Sequence, residues 1–84
     1  CRVELFENNE TAQAALLRVR ESGHRGSIID YGSDVVAYAH QLYHDLRECD
    51  NDGIDVALCV LPPNDGLGIA IRDRLLKAAS GEKQ

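Results

Sequence analysis

The apolar residues of this chain change their spacing three times, each time from a short continuous or alternating run to helical spacing. The short runs are strand candidates at residues 2–6, 27–30 and 54–61. Each is followed by apolar residues three and four positions apart, which is typical of a helix with one buried face. Because a helical crossover carries the chain back to the start of the next strand, the order predicts parallel strands in a βαβαβα chain.

The segments between the runs carry signals for the ends of helices. Gly23 is expected to stop the first helix in the left-handed conformation, and the second helix is expected to end near Cys49. The residues predicted to cap the three helices are, in chain order, Asn8, Asn9 or Thr11, then Asp34, then Asn64 or Asp65. The predicted buried faces are Ala12, Ala15, Leu16 and Val19, then Val35, Ala39, Leu42, Tyr43 and Leu46, then Leu67, Ile71, Leu75 and Ala78.

These elements predict an α/β fold of the small Rossmann-like, three-layer type with a parallel sheet. The segment 54–61 is almost continuously apolar after Asp55, as expected of a strand covered on both faces. Three strands are few for such a sheet, so we expect a fourth strand from upstream sequence. The chain has no methionine and begins with Cys1, which we interpret as a segment of a longer protein. Residues 1–80 are expected to form one accessory domain, and 81–84 a frayed C-terminal tail.

Charge and cysteine content exclude several classes of protein. The formal net charge is −5, and an acidic domain lacks the positive surface that binds phosphates, so no direct contact with nucleic acid is expected. No apolar run approaches the roughly 18–20 residues that span a bilayer. The three cysteines show no C-x-x-C spacing, which indicates neither a disulfide framework nor a zinc site. A reducing, cytoplasmic location fits best.

The loops after the strands are the candidate ligand sites, since parallel sheets bind ligands at the carboxyl ends of their strands. Residues 7–9 contain no glycine and therefore lack the G-x-G-x-x-G cradle for a pyrophosphate. The loop at 31–34 could accept an anion at a helix N-terminus, but capping explains it better. In the loop at 62–68, Gly66 and Gly68 could approach a ligand, but Asp65 would repel a phosphate, so a packing role for the glycines is favoured.

The remaining candidates for chemistry are isolated side chains. His40 and His44 are four residues apart on the second helix, with Glu48 as the only further ligand in that series, and a solvated helix face is the better interpretation. Cys59 lies in the most apolar strand and is expected to behave as a small buried hydrophobe. The acidic stretch Asp45, Glu48, Asp50 and Asp52 is expected to be an exposed face. We therefore predict no catalytic, cofactor-binding or metal-binding residue in this chain.

Two segments carry a more specific pattern. Within residues 37–50, the pattern A-x-x-L-[YF]-x-x-L-R-x-x-D begins at Ala39 and ends at Asp50. Residues 66–79 fit G-[LW]-x-x-A-[IV]-x-[DN]-R-L-x-[RK]-A-A. Together they resemble the C-terminal accessory domain of long-form threonylcarbamoyl-AMP synthase, over about residues 34–79. The matching positions are Leu42, Tyr43, Leu46, Arg47, Asp50, Gly66, Ala70, Asp73, Arg74 and Leu75. We expect Arg47, Asp50, Asp73 and Arg74 to form ion pairs between the last two helices or to contact a neighbouring domain.

The resemblance implies that this chain is a non-catalytic, regulatory part of an enzyme. The family condenses threonine, bicarbonate and ATP into threonylcarbamoyl-AMP and pyrophosphate for tRNA modification. Its chemistry belongs to an N-terminal YrdC-like domain, where ATP would bind and magnesium could accompany it, and to a linker that reaches over the active site. None of the three histidines matches the linker histidine. The expected partners are therefore that catalytic domain and linker, with no nucleic acid and no membrane.

A different class of function stays open from the residues alone. The chain could be a stand-alone binding or interaction module, either a small-nucleotide sensor using the loops at 31–34 and 62–68 or a subunit-docking domain. A receiver domain is disfavoured, because Glu7 stands alone after the first strand and the third strand ends in Leu61-Pro62-Pro63 rather than at an aspartate.

Overall fold

The computed structural model describes residues 2–80, in which three strands alternate with three helices. In chain order these are β1 (Arg2–Phe6), α1 (Asn9–Glu21), β2 (Gly26–Ile29), α2 (Val35–Asn51), β3 (Val56–Val60) and α3 (Leu67–Ala79). The predicted α/β class and the βαβαβα order are confirmed. Cys1 and the tail expected at 81–84 lie outside the described residues.

The three strands form one parallel sheet in the order β1-β3-β2, so the last strand lies in the middle. The first crossover passes over β3 to reach β2, and the second returns in the opposite direction. Crossovers of one hand that run in opposite directions must lie on opposite faces of the sheet. Accordingly, α1 packs on one face against Val56 and Leu58, while α2 and α3 pack on the other against Ala57 and Cys59.

The core is built around β3, whose five residues are all buried. This confirms the prediction of a strand covered on both faces, and the alternation of side chains divides the core into two layers. Leu58 is fully buried against α1, a burial that stabilises the fold by about 1.5–3 kcal/mol. On the other face Ile71 and Leu75 of α3 and Leu42 of α2 complete the larger layer.

The ends of the elements differ slightly from the prediction. β3 is shorter than residues 54–61, because the residues before it bond to other segments. The N–H of Ile54 donates to the carbonyl of Cys49 at 2.9 Å, and that of Asp55 donates to Arg25 at 2.8 Å. The same bond from Ile54 closes the end of α2, which runs to Asn51 rather than to Cys49.

Two helix caps are confirmed and the third prediction is wrong. The side chain of Asn8 accepts from the N–H of Thr11 at 2.9 Å, and that of Asp34 accepts from Ala37 at 3.1 Å. Neither Asn64 nor Asp65 caps α3; its N-cap is Gly66, at φ 53°, with no side-chain hydrogen bond. A positive φ at this point favours glycine over any residue that could supply a capping side chain.

Candidate functional site

A crevice lies at the carboxyl ends of β1 and β3, where successive connections leave the sheet toward opposite faces. β1 and β3 are neighbours, but the helix after β1 lies on one face and the helix after β3 on the other, and open α/β sheets bind ligands between such strands. We call this space, of about 420 Å³, the β1–β3 crevice. It is lined by Glu7, Leu61, Asn64, Ile69, Arg72, Asp73 and Leu76.

Arg72 holds the loops of this crevice together. Its Nε donates to the carbonyl oxygen of Pro62 at 2.8 Å, and its guanidinium lies 3.9 Å from the carboxylate of Glu7. The neighbouring Asp73 pairs with Lys77 at 3.3 Å. Arg72 is thus engaged by Glu7 and Pro62, and Asp73 adds a second carboxylate to the lining, so the crevice offers little attraction for a phosphate.

Two exposed apolar side chains of α3 lie in the wall of the β1–β3 crevice, together with the charged Arg72 and Asp73. Ile69 is 54% exposed and Leu76 is 58% exposed, and both lie on the side of α3 that faces away from α2. Leu61 adds a third apolar side chain, which is partly buried. The crevice therefore combines exposed apolar side chains with charged ones.

The loop at 62–68 has a geometric reason for its glycines. A Cβ atom on Gly68 would lie 1.9 Å from the carbonyl oxygen of Pro63, which is too close for any side chain. Gly66 turns the chain into α3 with its positive φ, and no atom lies within 4 Å of where its Cβ would be. The packing interpretation is therefore supported for Gly68, whereas Gly66 is needed for the turn.

The loop at 31–34 is already occupied by carboxylates of the chain itself. Asp30 accepts from the N–H of Gly32 at 2.8 Å and from the side chain of Asn9 at 2.9 Å. Asp34 accepts from Ala37 as the N-cap of α2. A bound anion here would meet these negative charges, so the loop is better described as a cap, as expected.

Two of the family-motif residues, Tyr43 and Arg74, meet between α2 and α3. The guanidinium of Arg74 donates to the hydroxyl of Tyr43 and lies 5.4 Å from the centre of its ring. A cation–π contact at an exposed site contributes about 0.5–1 kcal/mol. The predicted buried position of Tyr43 is corrected, because its ring is 56% exposed at the rim of the helix pair, where Arg74 covers it.

The other motif residues are spread over the two helices. Arg47 and Asp50 are exposed on α2, and Gly66 precedes α3. The ion pairs between described side chains join Arg2 to Glu4, Arg72 to Glu7 and Lys77 to Asp73, and none of these three links α2 with α3. Arg74 on Tyr43 is a contact that joins the two helices through charge. A role of Arg47, Asp50, Asp73 and Arg74 at a domain interface stays a prediction.

The two helical histidines lie on a solvated face. His40 and His44 are both exposed, and Glu48 beside them is exposed as well. Across residues 2–80 no three His, Cys, Asp or Glu side chains are grouped so that they could hold a metal ion.

The buried Tyr38 packs against the partly buried Tyr31, a contact that the sequence pattern does not predict. The hydroxyl of Tyr31 donates to Asp45, and its ring centre lies 5.1 Å from that of Tyr38. This hydrogen bond is the main reason that the pKa of Tyr31 is raised to about 12. Asp45 is therefore half-buried and not part of a fully solvated acidic face. Tyr38 is 1% exposed, and its spacing of three from Val35 and four from Leu42 was the available signal.

Two thiols lie in the core beside this pair. Cys59 is fully buried and Cys49 is 6% exposed. Burial is the main cause that raises the pKa of both thiols, that of Cys59 to about 12. The prediction that Cys59 acts as a small hydrophobe agrees with this environment, since a protonated, enclosed thiol is a poor nucleophile.

Comparison with known proteins gives one match. The family model described as threonylcarbamoyl-AMP synthase, C-terminal domain, matches residues 2–80. Neither the search of curated proteins nor the search of solved structures found a significant match. No helix within residues 2–80 has the length and apolar content needed to cross a membrane.

Proposed function

The chain belongs to the family of threonylcarbamoyl-AMP synthase C-terminal domains, and from this premise we propose that it is an accessory domain that docks on the catalytic part of the enzyme. The parent reaction would be the condensation of threonine, bicarbonate and ATP into threonylcarbamoyl-AMP and pyrophosphate, in the cytoplasm. ATP, with magnesium as an option, would bind in the YrdC-like catalytic domain. This chain would steady the linker over the active site without contacting nucleic acid.

The observation that carries this proposal is the pair of exposed apolar side chains, Ile69 and Leu76, on the side of α3 that lines the β1–β3 crevice. Ile69 and Leu76 are seven residues apart and thus lie two turns apart on one side of the helix. Each exposes a little more than half of its surface, so covering it would contribute about half of the value for a whole side chain, or about 1–1.5 kcal/mol apiece. Two exposed apolar side chains on one side of a helix, beside an edge strand, favour contact with another part of the protein over permanent exposure to water.

The fourth strand expected from upstream sequence fits beside β1. α2 and α3 cover one face of the sheet and α1 covers the other alone. A preceding βα unit whose strand pairs with β1 would continue in the direction of the first crossover, so its helix would lie beside α1. Such a strand would also lie under Ile69 and Leu76. We propose this arrangement as the way in which the domain continues upstream.

The test is to join this chain to its native upstream sequence and to measure pyrophosphate release with threonine, bicarbonate and ATP. We expect the intact parent to release pyrophosphate. The double variant Ile69→Ser/Leu76→Ser should release it much more slowly, because the domain would no longer dock. The matched control is Leu17→Ser on α1, which is also exposed, at 61%, but lies on the opposite face. A parent without this activity, or one in which the double variant behaves like the control, would contradict the proposal.

The alternative of a small-nucleotide sensor finds no support in the loops at 31–34 and 62–68, where carboxylates and close packing occupy the relevant positions. Calorimetric titration with ATP and AMP separates the two functions, because an accessory domain is expected to show no strong binding of either nucleotide.

A further inference from the structure

A second groove runs along the edge of the sheet opposite to β1. It has a volume of about 420 Å³ and lies between β2 and α2. On the side of the sheet it is lined by five consecutive residues, 27–31. Because side chains of successive strand residues point to opposite faces, consecutive residues can line one groove only if it follows the edge of the backbone. We call it the β2 edge groove.

This edge carries no partner strand within residues 2–80, where β2 pairs with β3 alone. An edge strand presents a row of backbone N–H and C=O groups that can pair with an added strand. α2 lines the groove opposite to β2, with the space of about 420 Å³ between them. The space beside β2 is therefore available to an extended segment.

The opposite wall of the groove is acidic. Asp45, Glu48 and Asp52 are three and four residues apart and lie along one side of α2. Asp45 is engaged by the hydroxyl of Tyr31, whereas Glu48 and Asp52 are exposed. Asp30 adds a further carboxylate at the end of β2. No lysine or arginine is among the residues that line the groove.

From this juxtaposition we propose that the β2 edge groove binds an extended protein segment with basic side chains at alternate positions, which adds to the sheet as a strand beside β2. Backbone pairing would supply the position, and the carboxylates of α2 would select lysine or arginine. The two spacings are similar, since alternate strand residues are about 6.6–7 Å apart. Glu48 and Asp52, four positions apart, are separated by about 6 Å along the helix axis.

A second copy of this chain is a poor occupant, because it would bring two acidic grooves together and like charges repel. The inference does not rest on the accessory role, since it concerns the edge opposite to the one proposed for the upstream strand. It also requires no nucleotide or metal.

The test uses a fluorescent peptide of alternating lysine and valine and measures its anisotropy on titration with the protein. We expect saturable binding and shifts of the backbone amide signals of Ser27 and Ile28 in NMR spectra. A second peptide, identical except for N-methyl groups on alternate backbone amides, keeps the charges but cannot complete the strand pairing. It should bind about tenfold more weakly.

The acidic wall is tested with Glu48→Gln/Asp52→Asn, which preserves shape and should weaken binding about fivefold. The matched control, Glu10→Gln/Glu21→Gln, removes the same charge from exposed positions of α1 on the other face and should leave the affinity unchanged. The proposal would be overturned if the peptide did not bind, or if the N-methylated peptide bound equally well. Equal effects of the two double variants would also overturn it. So would a dimer in sedimentation whose interface signals in NMR spectra are those of Ser27 and Ile28.

Discussion

The hydroxyl of Tyr38 donates a hydrogen bond of 2.9 Å to the backbone carbonyl of Val60, and so ties the first turn of α2 to the last residue of the central strand. Both residues are buried, and the side chain of Tyr38 is among the largest that are fully enclosed. The bond satisfies a carbonyl at the end of β3, close to the loop that leads into α3. It therefore links the core to the loops at the carboxyl end of the sheet.

Removing this hydroxyl with Tyr38→Phe should lower the free energy of unfolding by about 1–3 kcal/mol, because the carbonyl of Val60 would stay buried without a partner. Urea denaturation followed by circular dichroism measures the change. Tyr43→Phe is the matched control: it removes the same atom from an exposed ring and should change stability by less than about 0.5 kcal/mol. Equal losses in the two variants would contradict the role given to the buried bond.

The sign of the change caused by Gly68→Ala distinguishes packing from helix propensity. Propensity alone predicts that alanine in a helix stabilises by about 0.5–1 kcal/mol relative to glycine. The carbonyl of Pro63, 1.9 Å from the new Cβ, instead predicts a loss, since backbone must move to make room. We expect a decrease of about 1–3 kcal/mol in thermal or urea denaturation. An increase in stability would show that the close approach is not maintained.

Alkaline pH should weaken the fold through the buried and hydrogen-bonded groups of the core. The pKa of Cys59 is raised from 9.0 to about 12, and that of Tyr31 from 10.0 to about 12, so the folded chain holds these protons longer than the unfolded chain. The free energy of unfolding should be constant below about pH 9 and should fall between about pH 9 and 12. Urea denaturation at several pH values measures this. Tyr31→Phe should make the decline above about pH 10 shallower without abolishing it, because burial also raises the pKa of Tyr38. A flat profile in the parent would contradict the prediction.

Thiol modification should report on unfolding of the core. Cys49 and Cys59 are buried and their pKa values are raised, so both should react slowly with a disulfide reagent in the native state and rapidly in urea. A Cys1→Ser background limits the signal to these two thiols. Rapid modification without denaturant would show that the layer between α2 and the sheet opens readily.

Much of the local structure could be predicted from neighbouring residues. The spacing of apolar residues identified all three helices, and the continuous apolar run identified β3 as the strand covered on both faces. Asn8 and Asp34 were identifiable as caps because their side chains bond to the N–H three residues ahead. The third cap failed for a tertiary reason, since the contact of Gly68 with Pro63 imposes a turn that Gly66 alone satisfies.

The sequence by itself determined the order of elements, the buried central strand and the motif pair on the last two helices, because each depends on residues within a few positions of one another. Only the tertiary structure decided the strand order β1-β3-β2, the placement of Arg74 on Tyr43 and the pairing of Tyr31 with Asp45. The same holds for the β1–β3 crevice and the β2 edge groove. The physical reason is that these features depend on which faces the helices cover, and that choice minimises the free energy of the whole chain rather than of any one segment.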